Sequence, residues 1–580
     1  MLALAPSARF DYVIVGGGTS GLVLANQLSA DPKKEVLVIE AGKSPRGSLK
    51  VAAPVALTKL FFSKWDYGFE SEPTAGTANR PVYLARGKAL GGSSALNALL
   101  YHRGTAADFD AWDVDGWDSE TMLKSFVEVE RQRDLRTSSY HGVNGRVGVE
   151  DARYANPLSS MFVDAAQQAG HKLNPDFNDW SREQAGVGRF QLQTRRGRRQ
   201  HSSATHLAAA RGRPNLHVVS DALATEVVLD DEKRAVGVRY READGAGAEV
   251  LASVSSPGAG GEVLVCAGAV SSPHLLMLSG IGPRNVLKAR GIACAVDLPG
   301  VGENLQDHPA VVSGYRITEP LAITDQMFLA KGILSPARVV EWLARGSGPV
   351  ATSGCDFGGF FKTARSREQP DLQLRFVSGL GTSPDGVGSY RDIGRNGKTP
   401  SGITLQSLAI RPQARGRVGL RSNDPSDTPL LDPAFGVSAA DMATLRAGLR
   451  ISDEIVSQHA FDAVRGEEAW PRLDLSDDAA LDEYIRNTVH SGNALAGTCK
   501  MGRPADPLSV VDAELRVKGT HGLRVVDASV IPTMPGGQLG ATVFALADRA
   551  CRLILGGAKD GAKGSAEAAK APVSAASASN

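Results

Sequence analysis

Short runs of consecutive apolar residues alternate along this chain with stretches in which apolar residues recur every three or four positions. Asp11-Tyr12-Val13-Ile14-Val15 leads directly into Gly16-Gly17-Gly18-Thr19-Ser20-Gly21, which predicts a buried strand entering a glycine turn. Leu22, Ala25 and Leu28 then repeat at helical spacing, and Val36-Leu37-Val38-Ile39 reads as a second buried strand ending at Glu40. Together these make a βαβ unit. Leu216–Val219, Val263–Val265 and Leu523–Val526 are further strand-like runs, and Val543, Ala547, Ala550, Cys551 and Ile554 follow a helical period. The alternation predicts an α/β architecture. The middle of the chain is more mixed, with Leu372, Leu374 and Phe376 and then Ile403 and Leu405 indicating a second, sheet-containing region. From Gly556 to Asn580 the residues are mostly Ala, Ser, Gly and Lys, too little apolar surface to offset the entropy of ordering, so a disordered tail is predicted.

Composition narrows the classes. The 580 residues are 42% apolar and 22% charged, with 64 Gly and 30 Pro, which suits a large globular enzyme and excludes a collagen or a coiled coil. Lys plus Arg (64) nearly cancels Asp plus Glu (63), so no overall field draws the chain to nucleic acid. The five cysteines are scattered and include no Cys-x-x-Cys pair, so neither a disulfide framework nor a zinc site is expected, and no metal is assigned. No run is long and apolar enough for a spanning helix, and few residues precede the first strand, so a soluble or peripheral protein without a signal peptide is expected; a trimmed transit peptide stays open.

Gly16-x-Gly18-x-x-Gly21 sits between a strand and a helix, where backbone amides can approach a pyrophosphate, and Glu40 follows at the distance from which a carboxylate accepts from ribose hydroxyls. This context points to a dinucleotide rather than a structural turn. Two longer stretches select which one. Gly87-Lys88-Ala89-Leu90-Gly91-Gly92-Ser93-Ser94-Ala95-Leu96-Asn97, followed by Tyr101 and Gly104, resembles the first signature of the glucose-methanol-choline (GMC) flavin oxidoreductases. Gly268-Ala269-x-x-Ser272-Pro273-x-Leu275-Leu276-x-x-Ser279-Gly280-Ile281-Gly282 resembles the second. Val301–Pro309, Gly497–Gly502 and Val526–Ser529 extend the resemblance over residues 9 to 555.

The resemblance implies FAD and a GMC-type α/β fold, a Rossmann-like FAD-binding domain with a discontinuous substrate domain on an antiparallel sheet. The implied boundaries are 9–150, 205–312 and 495–555 for the FAD-binding domain, and 151–204 and 313–494 for the substrate domain, with the tail over 556–580. It also implies cofactor contacts from Gly16, Gly18, Thr19, Ser20, Gly21, Glu40 and Ala41. Arg86, Leu90, Gly91, Ser93, Asn97, Ala98 and Leu99 are implied next, and then Ala224, Asp527, Ala528 and Gln538.

Members that oxidise alcohols use a histidine base in a His-x-x-Gly-Thr frame and a second His or Asn near the C-terminus. Here Ala494 occupies the first place and Gly540 the second. Neither side chain takes a proton, and a missing general base removes about 10²–10⁴ in rate. His490, four residues before Ala494, would share a helical face with it and is the displaced base of an alternative reading, a dark FAD-dependent alcohol oxidase or dehydrogenase. The substrate region instead resembles the fatty acid photodecarboxylase branch of the family. Gly354-Cys355-Asp356, Pro370–Val377, Pro384–Val387 with Tyr390, Pro400–Gln406 and His490-Ser491-x-Asn493-Ala494 carry that likeness. Leu539-Gly540-Ala541-Thr542 departs from the expected Thr-Gly-Ala-Pro, and the Cys355 to Arg375 spacing is one residue long.

That branch implies blue-light-dependent loss of CO₂ from long-chain free fatty acids, giving alkanes or alkenes. Arg375, Cys355 and Asn493 would be the catalytic residues and Gly386, Tyr390, Thr404 and Gln406 the substrate contacts, in a plastid setting with peripheral membrane association open. Physically, Arg375 offers a planar fork for a carboxylate, against a salt bridge with Asp356 or Asp371. Cys355 offers a weakly bonded hydrogen, against inert packing. Asn493, Gln406 and Gln538 offer amide donors, against structural hydrogen bonds. Leu57–Trp65 reads as core or tunnel wall, and Arg195–Arg199 as a solvated charge run.

Overall fold

A computed structural model describes residues 9–242, 249–255, 261–329, 333–364, 368–386 and 400–556. Tyr390 and the tail from 557 onward lie outside the described residues.

The fully buried runs Tyr12–Val15 and Val36–Glu40 become neighbouring parallel strands. Buried on both faces, such strands need continuous apolar sequence, which is what the chain supplies. Leu216–Ser220 extends the sheet on one side, and Glu262–Val265 and Leu523–Val525 extend it on the other, all in parallel. The helix Thr19–Leu28 springs directly from the glycine turn, and the terminal helix Leu539–Gly556 packs along it, with Gln27 donating to Asp548 at 2.9 Å. Ala222–Leu229, Ala235–Glu242 and Glu249–Val254 form an antiparallel sheet, to which Arg9–Phe10 adds in parallel.

The second region is built on a larger antiparallel sheet in the order Arg465–Trp470, Pro309–Ile317, Gly402–Ala409, Leu372–Val377, Phe357–Phe361, Gly186–Arg189, with the short strand His490–Ser491 also pairing the start of Pro309–Ile317. Pro309–Ile317 runs unbroken through residue 312, so the chain enters this sheet before the boundary expected there. Period-two alternation divides the central strands. Leu372, Leu374, Phe376, Ile403 and Leu405 join one buried apolar cluster, where Phe162 stacks on Phe376 at 4.7 Å. The helix Ala439–Val456 seals that side, and it comes so close that a Cβ on Gly448 would lie 2.6 Å from that of Ser407. The intervening residues, Gln373, Arg375, Thr404 and Gln406, take the opposite face, and the register sets Arg375 beside Gln406. No helix of the described residues is long and apolar enough to cross a membrane.

Candidate active site

A cavity of about 700 Å³ runs from the glycine turn at the carboxyl ends of the parallel strands to the polar face of the antiparallel sheet. At its first end, close backbone approach dictates the sequence. A Cβ on Gly21 would stand 1.9 Å from the Gly16 carbonyl oxygen, and one on Gly16, whose φ is +100°, would lie 2.4 Å from that of Cys266. Gly18 faces open space, with nothing nearer than 3.8 Å to its hypothetical Cβ. The helix that starts at Thr19 has no side-chain cap, and Ser20 Oγ is buried there without a partner. Glu40 accepts from the Gly17 and Gly42 amides at 2.7 Å each, and burial pushes its carboxyl up to about 7. Uncapped helix amides, an orphaned hydroxyl and a carboxylate at the next strand end fit the pyrophosphate and ribose of a dinucleotide.

Most of the sequence-derived cofactor positions line this cavity: Gly16, Gly18, Thr19, Ser20, Glu40 and Ala41, then Arg86, Ser93, Asn97, Ala98 and Leu99, then Ala224, Asp527, Ala528 and Gln538. Gly21, Leu90 and Gly91 stand behind it. Leu90 Cδ2 packs where a Cβ of Gly17 would go, and Gly91, with φ +107°, sits against His201. Asp527 spends its carboxylate on the Gly268 and Ser529 amides and on the Ser272 hydroxyl, fastening a helix start rather than reaching outward. The buried Arg86 guanidinium leaves Nε and Nη2 unpartnered within the cavity wall.

At the far end, Cys355, Arg375, Gln406, His490, Asn493, Ala494 and Gly540 converge on the same space. Arg375 donates from Nε to Gln373 Oε1 and from Nη1 to Gln406 Oε1, both at 3.2 Å. Gln538 Nε2 donates to Gln373 Oε1 at 2.6 Å, and Gln538 Oε1 meets His102 Nδ1. Gln406 Nε2 lies 2.8 Å from His490 Nε2, and His490 Nδ1 lies 3.3 Å from the Thr488 carbonyl. Burial pushes His490 down to about 4 and the Cys355 thiol up to about 11, so both are uncharged at neutral pH. The two carboxylates weighed as partners of Arg375 bind elsewhere: Asp356 accepts from Thr352, and Asp371 accepts from Thr363. Asn493, at φ +61°, accepts from the Ala85 amide at 3.0 Å. A Cβ on Gly540 would meet nothing nearer than Asn97 Nδ2 at 3.4 Å, so packing alone does not demand glycine there.

Several expectations change. His490 and Ala494 are not on a helix: His490–Ser491 is a strand, and Asp307 holds the following loop by accepting from the Ala494 amide at 2.8 Å and from Ser491 Oγ. Gly386 does not line the cavity; a Cβ there would fall 2.6 Å from His490 Nε2, so the glycine makes room for that ring. Thr404 donates to the Gly379 carbonyl at 2.9 Å and accepts from the Gly381 amide, bracing a turn behind the site. The Arg195–Arg199 run is a tight hairpin that leaves Arg195 and Arg196 exposed, as a solvated charge run expects, but not Arg199. Arg199 is buried with Nη1 donating to Asn97 O and Oδ1, and burial pulls it down to about 9. In the 57–65 stretch, Leu57 and Phe61 line the cavity while Leu60 and Trp65 are core. Sequence reasoning assigned no role to His308, although it falls in the Asp307-His308-Pro309 motif. It lines the cavity and is pushed down to about 3 by burial, and both its ring nitrogens are buried without a well-formed hydrogen bond among the described residues.

Residues 10–310 and 412–547 match the two GMC oxidoreductase family models, and the chain belongs to that family. Its cofactor is accordingly FAD, for which the glycine turn, Ser20 and Glu40 are suited. Over 565 residues it is 46% identical to a chloroplastic fatty acid photodecarboxylase of Chlamydomonas reinhardtii, covering 95% of this chain and 91% of that one. It is 36% identical over 557 residues to an oxygen-dependent choline dehydrogenase of Photobacterium profundum, covering 95% and 94%. Among solved structures, pyridoxine 4-oxidase from Mesorbium loti superposes with a TM-score of 0.81 at 30% identity, covering 94% of this chain and 99% of that one. A formate oxidase variant from Aspergillus oryzae gives 0.86 at 26%, covering 96% and 100%.

Proposed function

We propose that this enzyme removes CO₂ from long-chain free fatty acids under blue light, releasing a hydrocarbon one carbon shorter. The observation that carries the reading is a cavity end in which Arg375 and an uncharged Cys355 thiol converge while Ala494 and Gly540 stand where proton-abstracting side chains would be. The photodecarboxylase relative supports it, and its chloroplastic designation favours a plastid setting. Bound FAD supplies the light absorption and the exchange of one electron. The net change, RCOO⁻ + H⁺ → RH + CO₂, is redox-neutral and needs no external acceptor. Arg375 holds the carboxylate by charge and by its fork of donors, with Gln373 and Gln406 keeping the guanidinium in plane. Asn493 Nδ2, only weakly engaged at 3.4 Å to Ser491 O, is a second donor toward the substrate. Cys355 keeps its proton at neutral pH and can give a hydrogen atom to the alkyl carbon; the returned electron and one proton then restore Sγ–H. Leu57, Phe61 and Leu100 offer apolar wall to the acyl chain.

The test is incubation of the FAD-loaded enzyme with palmitate, in blue light and in darkness, without an added acceptor. Pentadecane formed only in light is the expected result, and its absence sinks the proposal. A second reading, hydroxyl oxidation in the dark, has the cavity imidazoles of His308 and His490 and the choline dehydrogenase relative in its favour. Both rings are poor bases when burial holds them near 3 and 4. Bleaching of the flavin by alcohols in anaerobic darkness, lost in His490→Ala or His308→Gln, would establish it.

A further inference from the structure

Arg199 carries a charge to which the chemistry above gives no task. Its residue is 2% exposed, and its donors reach only neutral carbonyls. Nε donates to Val51 O at 3.0 Å, and Nη1 to Asn97 O at 2.6 Å and to Asn97 Oδ1 at 2.9 Å, with Ser94 O further off at 3.4 Å. Nη2 is buried without a partner, and no carboxylate bonds to the guanidinium among the described residues. At about 9 it is still charged at neutral pH. An interior cation without a counter-ion is costly to keep.

Behind the cofactor loop is where this charge stands. Ser94 and Asn97, whose carbonyls it binds, line the large cavity. The chain runs on from Arg199 to Ser202, whose amide donates to Ser94 Oγ and whose hydroxyl donates to Gly18 O, both at 3.1 Å, so the guanidinium is fixed one loop's thickness from the cavity. Because a guanidinium has donors only, it claims Asn97 Oδ1, which also accepts from the Leu99 amide at 3.3 Å. Asn97 Nδ2 is left to the cavity side, 3.4 Å from a Cβ built on Gly540. A full charge behind the amide strengthens that donor. The cations that line the cavity are otherwise engaged: Arg86 faces Asp307 and Asp66, Lys88 faces Glu40, Arg241 pairs with Glu249 at 3.2 Å, and Arg375 sits at the substrate end. Burial holds His308 and His490 uncharged, so no imidazolium adds positive charge there.

We propose that Arg199 is a positioning residue for the flavin: acting through Asn97, it sets an uncompensated positive charge behind the cavity wall, favours the flavin when that group carries added negative charge, and so raises its reduction potential. Charge near the ring is one of the means by which a protein tunes a flavin. The role holds for light-driven decarboxylation and for dark alcohol oxidation alike, because each loads negative charge onto the cofactor.

The experiment is a redox titration of the FAD-loaded full chain against a reference dye, in darkness and with neither fatty acid nor alcohol present, so that it depends on neither activity. Arg199→Gln, which removes the charge, and Asn97→Asp, which neutralises it in place, should each lower the preference for the reduced flavin at least tenfold, about 30 mV for a two-electron couple. Arg199→Lys keeps the charge and should stay within about threefold of the parent. Asn97→Asp also separates this role from support of the fold, because it gives the buried guanidinium the counter-ion it lacks: the potential should fall without loss of thermal stability. Potentials of Arg199→Gln and Asn97→Asp within about threefold of the parent at full flavin occupancy would overturn the proposal. So would a lysine variant as low as the glutamine one, a potential in Asn97→Asp that falls only together with thermal stability, or loss of flavin from both Arg199→Gln and Asn97→Asp.

Discussion

Replacing Arg375 with lysine isolates what the guanidinium contributes beyond its charge. Arg375 is buried and donates separately to Gln373 Oε1 and Gln406 Oε1, each at 3.2 Å. Lysine keeps the positive charge but gathers its donors on one nitrogen, which cannot reach both amides and also face a carboxylate. Gln373 Oε1 retains the Gln538 amide at 2.6 Å, so the main loss falls on Gln406 and on the bidentate grip of the substrate. One charge-assisted hydrogen bond is worth about 1.5–3 kcal/mol. If it is lost from the transition state, kcat/KM for light-driven decarboxylation falls roughly 10- to 150-fold. The assay is hydrocarbon release from palmitate under calibrated blue light over a range of substrate concentrations, with flavin content measured on the same sample. Arg375 lies at the opposite end of the cavity from the glycine turn, so flavin occupancy should be unchanged. Activity within about threefold of the parent at full flavin occupancy would refute the assigned role, because no transition-state contact of that size would have been removed.

Cys355→Ser, which puts a more strongly bonded hydrogen at the same place, should keep flavin and lower hydrocarbon yield at least about tenfold; unchanged yield in light would make the thiol mere packing. Gly21→Ala forces a carbon to 1.9 Å from the Gly16 carbonyl oxygen, so the variant is expected to purify without yellow colour, and a normal flavin spectrum would contradict the close-packed turn. Burial holds the Glu40 carboxyl near 7, whereas donation from ribose hydroxyls stabilises only its charged form. FAD affinity should therefore weaken as pH falls through that value, by about tenfold per unit below it. Equilibrium titrations should show this slope in the parent and its absence in Glu40→Gln; a flat parent profile from pH 5 to 7 would remove Glu40 from the ribose site.

Locally encoded features were legible in the chain. The strand, glycine turn, helix and Glu40 occupy one stretch of sequence, and Gly21 answers a contact within it, the Gly16 carbonyl. The alternation Leu372-Gln373-Leu374-Arg375-Phe376 likewise marked which side chains face the core. What pairs across long separations was not legible. Nothing near residue 490 says that Asp307 will capture the Ala494 amide, 187 positions away, and straighten a stretch that counts as helical by spacing alone. Arg199 looked like one charge among four because the acceptors that bury it, Asn97 and Val51, lie more than a hundred residues upstream. His308 stood in a quoted motif, but only the assembled strand order reveals which space its ring borders.

The row of side chains from His102 through Gln538, Gln373, Arg375 and Gln406 to His490 has a built-in direction. A guanidinium has no acceptor, so it turns the carbonyl of each adjacent glutamine toward itself. On one side the Gln406 amide then points at His490 and asks for a bare Nε2, leaving the proton on Nδ1 facing Thr488. On the other side the Gln538 carbonyl asks for a proton on His102 Nδ1 and leaves Nε2 bare. One arginine thereby writes the tautomers of two imidazoles on opposite flanks of the sheet. Exchanging Gln406 for a carboxylate, which has no N–H to offer, would erase that instruction at His490 and spare His102.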